Sequence, residues 1–251
     1  MRVMRKTILI TGASSGLGRG MAREFAQRGR DLALCARRLD RLEDLRAELL
    51  AAQPGLRIAV RALDVNDHAQ VFAVFRELDV ELGGLDRIIV NAGAGRGRAI
   101  GKGGFSDNLE TAQTNFIAAL AQCEGALELF RARGRGHLVT IASMSAMRGM
   151  PRSMTTYAAS KAALAHLSEG MRADLLGTPI KVTTVFPGYI RSEITERVKK
   201  APFIIDAERG CRLLVRAIER EPASACVPRW PWVPLGFALR HLPLRLTARM
   251  N

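Results

Sequence analysis

From residue 6 to about residue 228, short apolar runs alternate with amphipathic helical patterns, and this alternation restricts the fold more than any other feature of the chain. Lys6-Thr7-Ile8-Leu9-Ile10, Asp31 to Ala36, Ile58-Ala59-Val60 and Asp86 to Val90 read as the first four strands. Between them, Met21, Ala22 and Phe25 share one side of 17–28, Leu42, Leu45 and Leu49 one face of 39–52, and Asp67 caps a helix reaching about Leu82. Further helices are expected over 109–133, 153–176 and 206–220, and further strands over 137–141, 181–186 and 223–227. Such strands are buried on both faces, and right-handed crossovers place helices above and below them. The expected fold class is α/β: a single doubly wound parallel sheet of about seven strands with helices on both faces.

A chain of 251 residues with 48% hydrophobic residues suffices for one large domain, and no Ser/Gly or Pro run divides it. Residues 1–228 are read as that domain and 229–251 as a basic tail rich in Trp, Pro and Leu. Cys35, Cys123, Cys211 and Cys226 lie far apart, with neither metal-site pairing nor the density of a disulfide scaffold, which suits a reducing compartment. His68, His137, His166 and His241 form no ligand cluster, so no metal is expected. The first six residues hold no apolar stretch, and nowhere do about 18 apolar residues run together. The expected location is therefore cytoplasmic. A net charge of +14 favours anionic partners. A specific nucleic-acid site is not expected, because the arginines are scattered and no basic-aromatic platform is visible.

In a doubly wound sheet the ligand lies beyond the carboxyl ends of the strands, so the first strand-to-helix turn is the place to look. That turn is Thr11-Gly12-Ala13-Ser14-Ser15-Gly16-Leu17-Gly18. Gly12, Gly16 and Gly18 leave room for a pyrophosphate, and the helix beginning near Leu17 turns free N–H groups and its positive end toward the anion. This is the phosphate site of a Rossmann-type sheet. After the second strand stand Arg37 and Arg38, with no carboxylate between Asp31 and Asp40. Guanidinium suits a 2′-phosphate, so NADP(H) is expected over NAD(H).

Tyr157 and Lys161 are four residues apart on an expected helix, hence on one face. A free phenol has a pKa of about 10, and a neighbouring ammonium favours its ionised form. With the glycine turn, Asp64 after the third strand, Asn91-Ala92-Gly93, Asn115, Ser143, Tyr157-Ala158-Ala159-Ser160-Lys161 and Pro187-Gly188, the chain resembles the short-chain dehydrogenases/reductases over about residues 6 to 228. The glycine spacing and short C-terminal region match the compact oxidoreductase branch.

The resemblance implies an NADP(H)-dependent enzyme that interconverts a carbonyl and an alcohol by direct hydride transfer. Tyr157 would be the acid/base, Ser143 would hydrogen-bond the reacting oxygen, Lys161 would lower the tyrosine pKa and bind ribose, and Asn115 would help hold a water-linked proton relay. Ser143 stands one residue further from the tyrosine than in many relatives, and Ser145 is its neighbouring alternative. Asp64 and Val65 would flank the adenine, Asn91, Ala92 and Gly93 line the cleft, and Pro187, Gly188, Ile190 and Ser192 meet the nicotinamide end. The family also implies a homodimer or homotetramer. The alternative reading is a non-catalytic dinucleotide-binding regulatory protein on the same fold.

Substrate choice is expected from two segments. One, Tyr189 to Asp206, mixes Arg191, Arg197, Lys199 and Lys200 with Ile194, Val198, Pro202, Phe203, Ile204 and Ile205, which fits a lipophilic substrate. The other, Gly93 to Gly104, is glycine-rich and reads as a mobile loop or a further anion contact. The tail holds both tryptophans, Trp230 and Trp232, among leucines and Arg229, Arg240, Arg245 and Arg249. It suits packing on its own substrate cleft, on a partner subunit, or on a membrane surface by peripheral contact.

Overall fold

The computed structural model describes residues 4–193, 195 and 201–247. Ile194, Arg197, Val198, Lys199, Lys200 and Arg249, named above, lie outside the described residues. The strands are β1 (Thr7–Thr11), β2 (Asp31–Ala36), β3 (Ile58–Ala62), β4 (Arg87–Val90), β5 (Gly136–Ile141), β6 (Ile180–Pro187) and β7 (Ser224–Val227). All pair in parallel, in the order β3-β2-β1-β4-β5-β6-β7. The expected doubly wound sheet is thus present.

Strand periodicity decides which layer each residue joins. Ile8 and Ile10 point into the layer of Phe25 on α1 (Gly16–Ala26), Leu42 and Leu45 on α2 (Leu39–Ala52) and Leu214 on α7 (Ala207–Glu219). Leu9 points the other way, toward Phe75 on α3 (His68–Glu81), Phe130 on α5 (Ala118–Arg133) and Leu164 on α6 (Thr155–Asp174). Asp67 caps α3 as expected, its carboxylate accepting from the Gln70 N–H at 3.0 Å.

Two expectations change. The helix placed over 109–133 begins at Phe105 and comes in three pieces: α4 (Phe105–Ala112), a π turn (Gln113–Ile117) and α5. The widened turn carries the wholly buried Asn115, whose amide bonds elsewhere than along the helix. The Gly93–Gly104 segment is tied down rather than loose. Asn108 bonds Arg98 N–H and C=O at 3.0 and 3.1 Å, Thr111 donates to the Arg96 carbonyl, and Asp107 and Glu110 pair with Arg98 and Arg96. Glycine there serves close packing as well as turning: a Cβ on Gly97 would sit 2.2 Å from the Ser153 carbonyl.

The tail forms α8 (Arg229–His241) and α9 (Leu244–Thr247). Trp232, Gly236 and Leu239 are its buried face, and Trp232 joins Ala142, Met144 and Phe186 in a third apolar cluster. Of the three partners open to the tail, its own domain covers this face. At the opposite, amino end of the sheet, Arg87 on β4 donates to His137 Nδ1 at 2.7 Å, and Glu221 accepts from Arg5 and Arg87 at 2.8 and 3.1 Å. Strand order reverses between β1 and β4, and a cleft opens at their carboxyl ends.

Candidate active site

The cleft has a volume of about 400 Å³. Its floor is the glycine turn between β1 and α1. Gly12 has φ +65° and Gly16 φ +53°, which favour glycine. A Cβ on Gly12 would lie 2.9 Å from Ala92 Cα, and one on Gly18 2.3 Å from the Gly12 carbonyl. Gly18 therefore sits behind the cleft and lets α1 close on the turn, while Gly12, Ser14, Ser15, Gly16 and Leu17 face it. Asn91 fixes the floor to β4: its Nδ2 donates to the Thr11 carbonyl at 2.8 Å, and its N–H to Thr11 Oγ1 at 3.1 Å. This cradle, stripped of side-chain bulk and facing a helix N-terminus, fits a pyrophosphate.

Arg37, exposed, and Arg38, half-buried, line one end, with Asp64 and Val65 beside them. Arg38 donates to Ser14 Oγ at 3.2 Å and Ser15 Oγ at 2.9 Å, and pairs with Glu193 at 3.5 Å. Arg41 reaches the same carboxylate at 3.0 Å. Burial pushes the Glu193 carboxyl up, but Ser15, Arg38 and Arg41 together outweigh it and hold the group below its ordinary value. A carboxylate thus rests among the groups expected to meet a phosphate.

The other end gathers a phenol, a hydroxyl and an ammonium. Tyr157 and Lys161 both reach the cleft from α6. The half-buried Tyr157 phenol shares a hydrogen bond with Ser143. Ser145 lies behind, donating its hydroxyl to Ser143 Oγ at 2.9 Å, so Ser143 faces the cleft and Ser145 orients it. Lys161 Nζ donates to the Ile141 carbonyl at 2.8 Å, past the last β4–β5 register pair. Sequence reasoning expects Lys161 to lower the phenol's pKa. In the structure burial dominates, the phenol is raised above its ordinary value despite Ser143, and burial likewise lowers Lys161 to about 8.

Asn115 does not line the cleft. Its amide clamps Ala94 through both N–H and C=O, at 2.8 and 2.9 Å, and donates to Ser160 Oγ at 3.2 Å. Ser160 in turn donates to the Tyr157 carbonyl at 2.8 Å, so Asn115 braces the tyrosine's helix against the Gly93 loop. Ala92, Gly93, Pro187, Gly188, Ile190 and Ser192 complete the lining as expected.

Sequence reasoning missed Glu193, Thr195, Glu110 and Thr114 as lining residues, and Trp232 as the wall behind Gly188. A Cβ on Gly188 would come within 2.1 Å of the Trp232 indole, which meets Tyr189 edge-on at 5.7 Å. A carboxylate directly after Ser192, in an otherwise basic segment, was the available signal for Glu193. For Trp232 the tail's composition suggested packing on the cleft among other partners, but the contact with Gly188 itself, made across the fold, was not legible.

This glycine cradle, with a Ser-Tyr-Lys set at the far end of one cleft, is matched by a family model. The model of the short chain dehydrogenases covers residues 6–202. The chain is a short-chain dehydrogenase. It is 53% identical to an uncharacterized oxidoreductase of Mycobacterium tuberculosis over 98% of both chains. It is 32% identical to 11-beta-hydroxysteroid dehydrogenase 1A of Arabidopsis thaliana, over 90% of this chain and 69% of the plant protein. A crystal structure of a short chain dehydrogenase/reductase from Burkholderia phymatum in complex with NAD superposes with a TM-score of 0.85, at 23% identity, over 99% of this chain and 97% of that one. Short-chain dehydrogenases are oxidoreductases that use nicotinamide dinucleotides, and their general chemistry interconverts carbonyl and alcohol groups on small molecules. No helix among the described residues is long and apolar enough to cross a membrane.

Proposed function

We propose that this short-chain dehydrogenase uses NADP(H) to interconvert a lipophilic ketone or aldehyde with its alcohol, Tyr157 serving as the acid/base. The reading rests on one arrangement: Arg37 and Arg38 at one end of the cleft, and Tyr157, Ser143 and Lys161 at the other. When bound, the dinucleotide supplies or receives the hydride. The chain supplies the rest. Arg38, already bonding Ser14 and Ser15, is set beside the turn where guanidinium and hydroxyl donors would hold a ribose phosphate. Lys161, with a pKa of about 8, is mostly charged at neutral pH and would hold ribose hydroxyls.

With its pKa raised, Tyr157 carries its proton throughout the neutral range and gives it to an oxygen that Ser143 also bonds. That favours carbonyl reduction near neutrality. Alcohol oxidation needs the phenolate and is favoured at alkaline pH. Next to Gly188, the half-buried Tyr189 and the exposed Phe203 both pack edge-on to Trp232, and these apolar groups support a lipophilic substrate. The 11-beta-hydroxysteroid dehydrogenases 1A and 1B of Arabidopsis thaliana, each 32% identical to this chain, make ketosteroids a place to begin.

The protein is further proposed to be cytoplasmic, its four cysteines free. Ile117 and Leu120, apolar and exposed on the π turn and α5, favour assembly as a homodimer or homotetramer.

The test is NADPH consumption against a panel of short aldehydes, diketones, quinones, long-chain aldehydes and ketosteroids, with Tyr157→Phe as control and NADH titrated in parallel. The expected outcome is turnover confined to lipophilic members, abolished by the control, with tighter NADPH than NADH. Equal affinity for the two dinucleotides would reject the cofactor assignment. Tight NADPH binding with no turnover would point to the non-catalytic, regulatory reading.

A further inference from the structure

We propose that the outward face of α8 and α9 is a docking surface for an anionic lipid membrane. α8 is two-sided in an unusual sense. Trp232, Gly236 and Leu239 pack on the domain, yet the opposite face is also apolar: Trp230 is 78% exposed, Phe237 70%, Val233 46%, and Leu246 on α9 50%. Isolated exposed apolar side chains are ordinary, but two large aromatics exposed within one short stretch, Trp230 at the kinked start of α8 and Phe237 on its helical part, are not.

Charge decides between the possible occupants. Arg229, Arg240 and Arg245 are exposed among these apolar residues. From Pro222 to the last residue the sequence contains no aspartate or glutamate. A two-fold pairing of copies through this face would set those arginines against their own counterparts, with no carboxylate in the segment to offset them. An anionic headgroup layer offers the missing charge, while tryptophan, phenylalanine and leucine enter the acyl boundary. The chain's +14 charge draws the whole molecule to the same surface. Trp230 is exposed two residues before the buried Trp232, which backs Gly188 at the nicotinamide end of the cleft. Docking would therefore hold that end near the bilayer; this consequence, unlike the docking itself, rests on the function proposed above.

The test is co-sedimentation of the full chain with phosphatidylcholine vesicles, with and without phosphatidylglycerol. Binding is expected to be on the order of tenfold stronger with phosphatidylglycerol and to fall as salt rises. A Trp230→Ser/Phe237→Ser protein and an Arg240→Gln/Arg245→Gln protein should each lose binding on the order of tenfold. Both should keep wild-type melting temperatures and NADPH affinity in lipid-free buffer. A protein that stays in the supernatant with phosphatidylglycerol vesicles overturns the proposal. So does unchanged binding by either well-folded double variant. A fall in oligomeric mass for Trp230→Ser/Phe237→Ser in lipid-free sedimentation assigns the face to a second copy instead. Because the readout is binding, its failure is separate from any failure to find a substrate.

Discussion

Lys161 meets two opposed demands, since its ammonium serves the site and its burial penalises the charge. Its pKa of about 8, against 10.5 in an unfolded chain, means that folding is opposed below pH 8 and that the penalty fades as pH rises toward 10.5. Lys161→Met should therefore stabilise the protein by about 1–2 kcal/mol at neutral pH, after the lost bond to the Ile141 carbonyl, while abolishing turnover. Urea melts show this as a gain at pH 7 that shrinks in alkaline buffer; a loss at pH 7 would contradict it. Gly18→Ala should act oppositely. A Cβ there presses on the Gly12 carbonyl, which is backbone and cannot swing aside, so NADPH affinity should fall at least about tenfold by fluorescence titration, the equivalent of about 1.4 kcal/mol. At this scale the site was largely legible: glycine, tyrosine and lysine declare their chemistry through spacing on one turn or one helix. Glu193 and Trp232 were not, because their neighbours come from the far side of the fold.

Whole elements were legible wherever burial imposed a period. β2 and α2 match the sequence reading at both ends, and Asp67 and Asp206 cap α3 and α7, the latter accepting from Arg209 N–H at 2.7 Å. The π turn of Asn115 was hidden, since one added residue in a turn leaves the apolar spacing almost unchanged. The Gly93–Gly104 loop misled for another reason: glycine signals freedom in sequence, but here it lets backbone approach Ser153 and Arg98. The segment after β6 carries its own prediction. Glu193 holds Arg38, Arg41 and Ser15, and a phosphate entering among them must break those bonds. Glu193→Gln should raise NADPH affinity several-fold and leave NADH affinity nearly unchanged, measured by parallel titrations. An equal gain for both would show that the carboxylate obstructs the cleft without competing for the arginines.

Across the whole molecule, chemistry and cohesion occupy opposite ends of one sheet. At the amino end, burial first, then Arg87 and Arg5, hold the His137 imidazole well below its ordinary value. It stays neutral, accepting from Arg87 at Nδ1 and meeting Thr183 Oγ1 at 2.9 Å. An unfolded chain takes up a proton near pH 6.5 that the native state refuses, so the stability from His137 is complete above that pH and drains away below it. Acid urea melts should show up to about 1.4 kcal/mol lost per pH unit below 6.5 from this group, and His137→Gln should flatten that slope. At the carboxyl end, order along the chain has a different consequence. Among the described residues, every one that lines the cleft lies at or before Thr195, but the residue packed behind Gly188 is Trp232. A nascent chain emerging from the ribosome delivers the described lining of the cleft first and the indole that backs Gly188 almost last. A protein clipped just after β7 would keep every described lining residue of its cleft yet leave Phe186 and Met144 without the indole that covers them, an open seam directly behind Gly188.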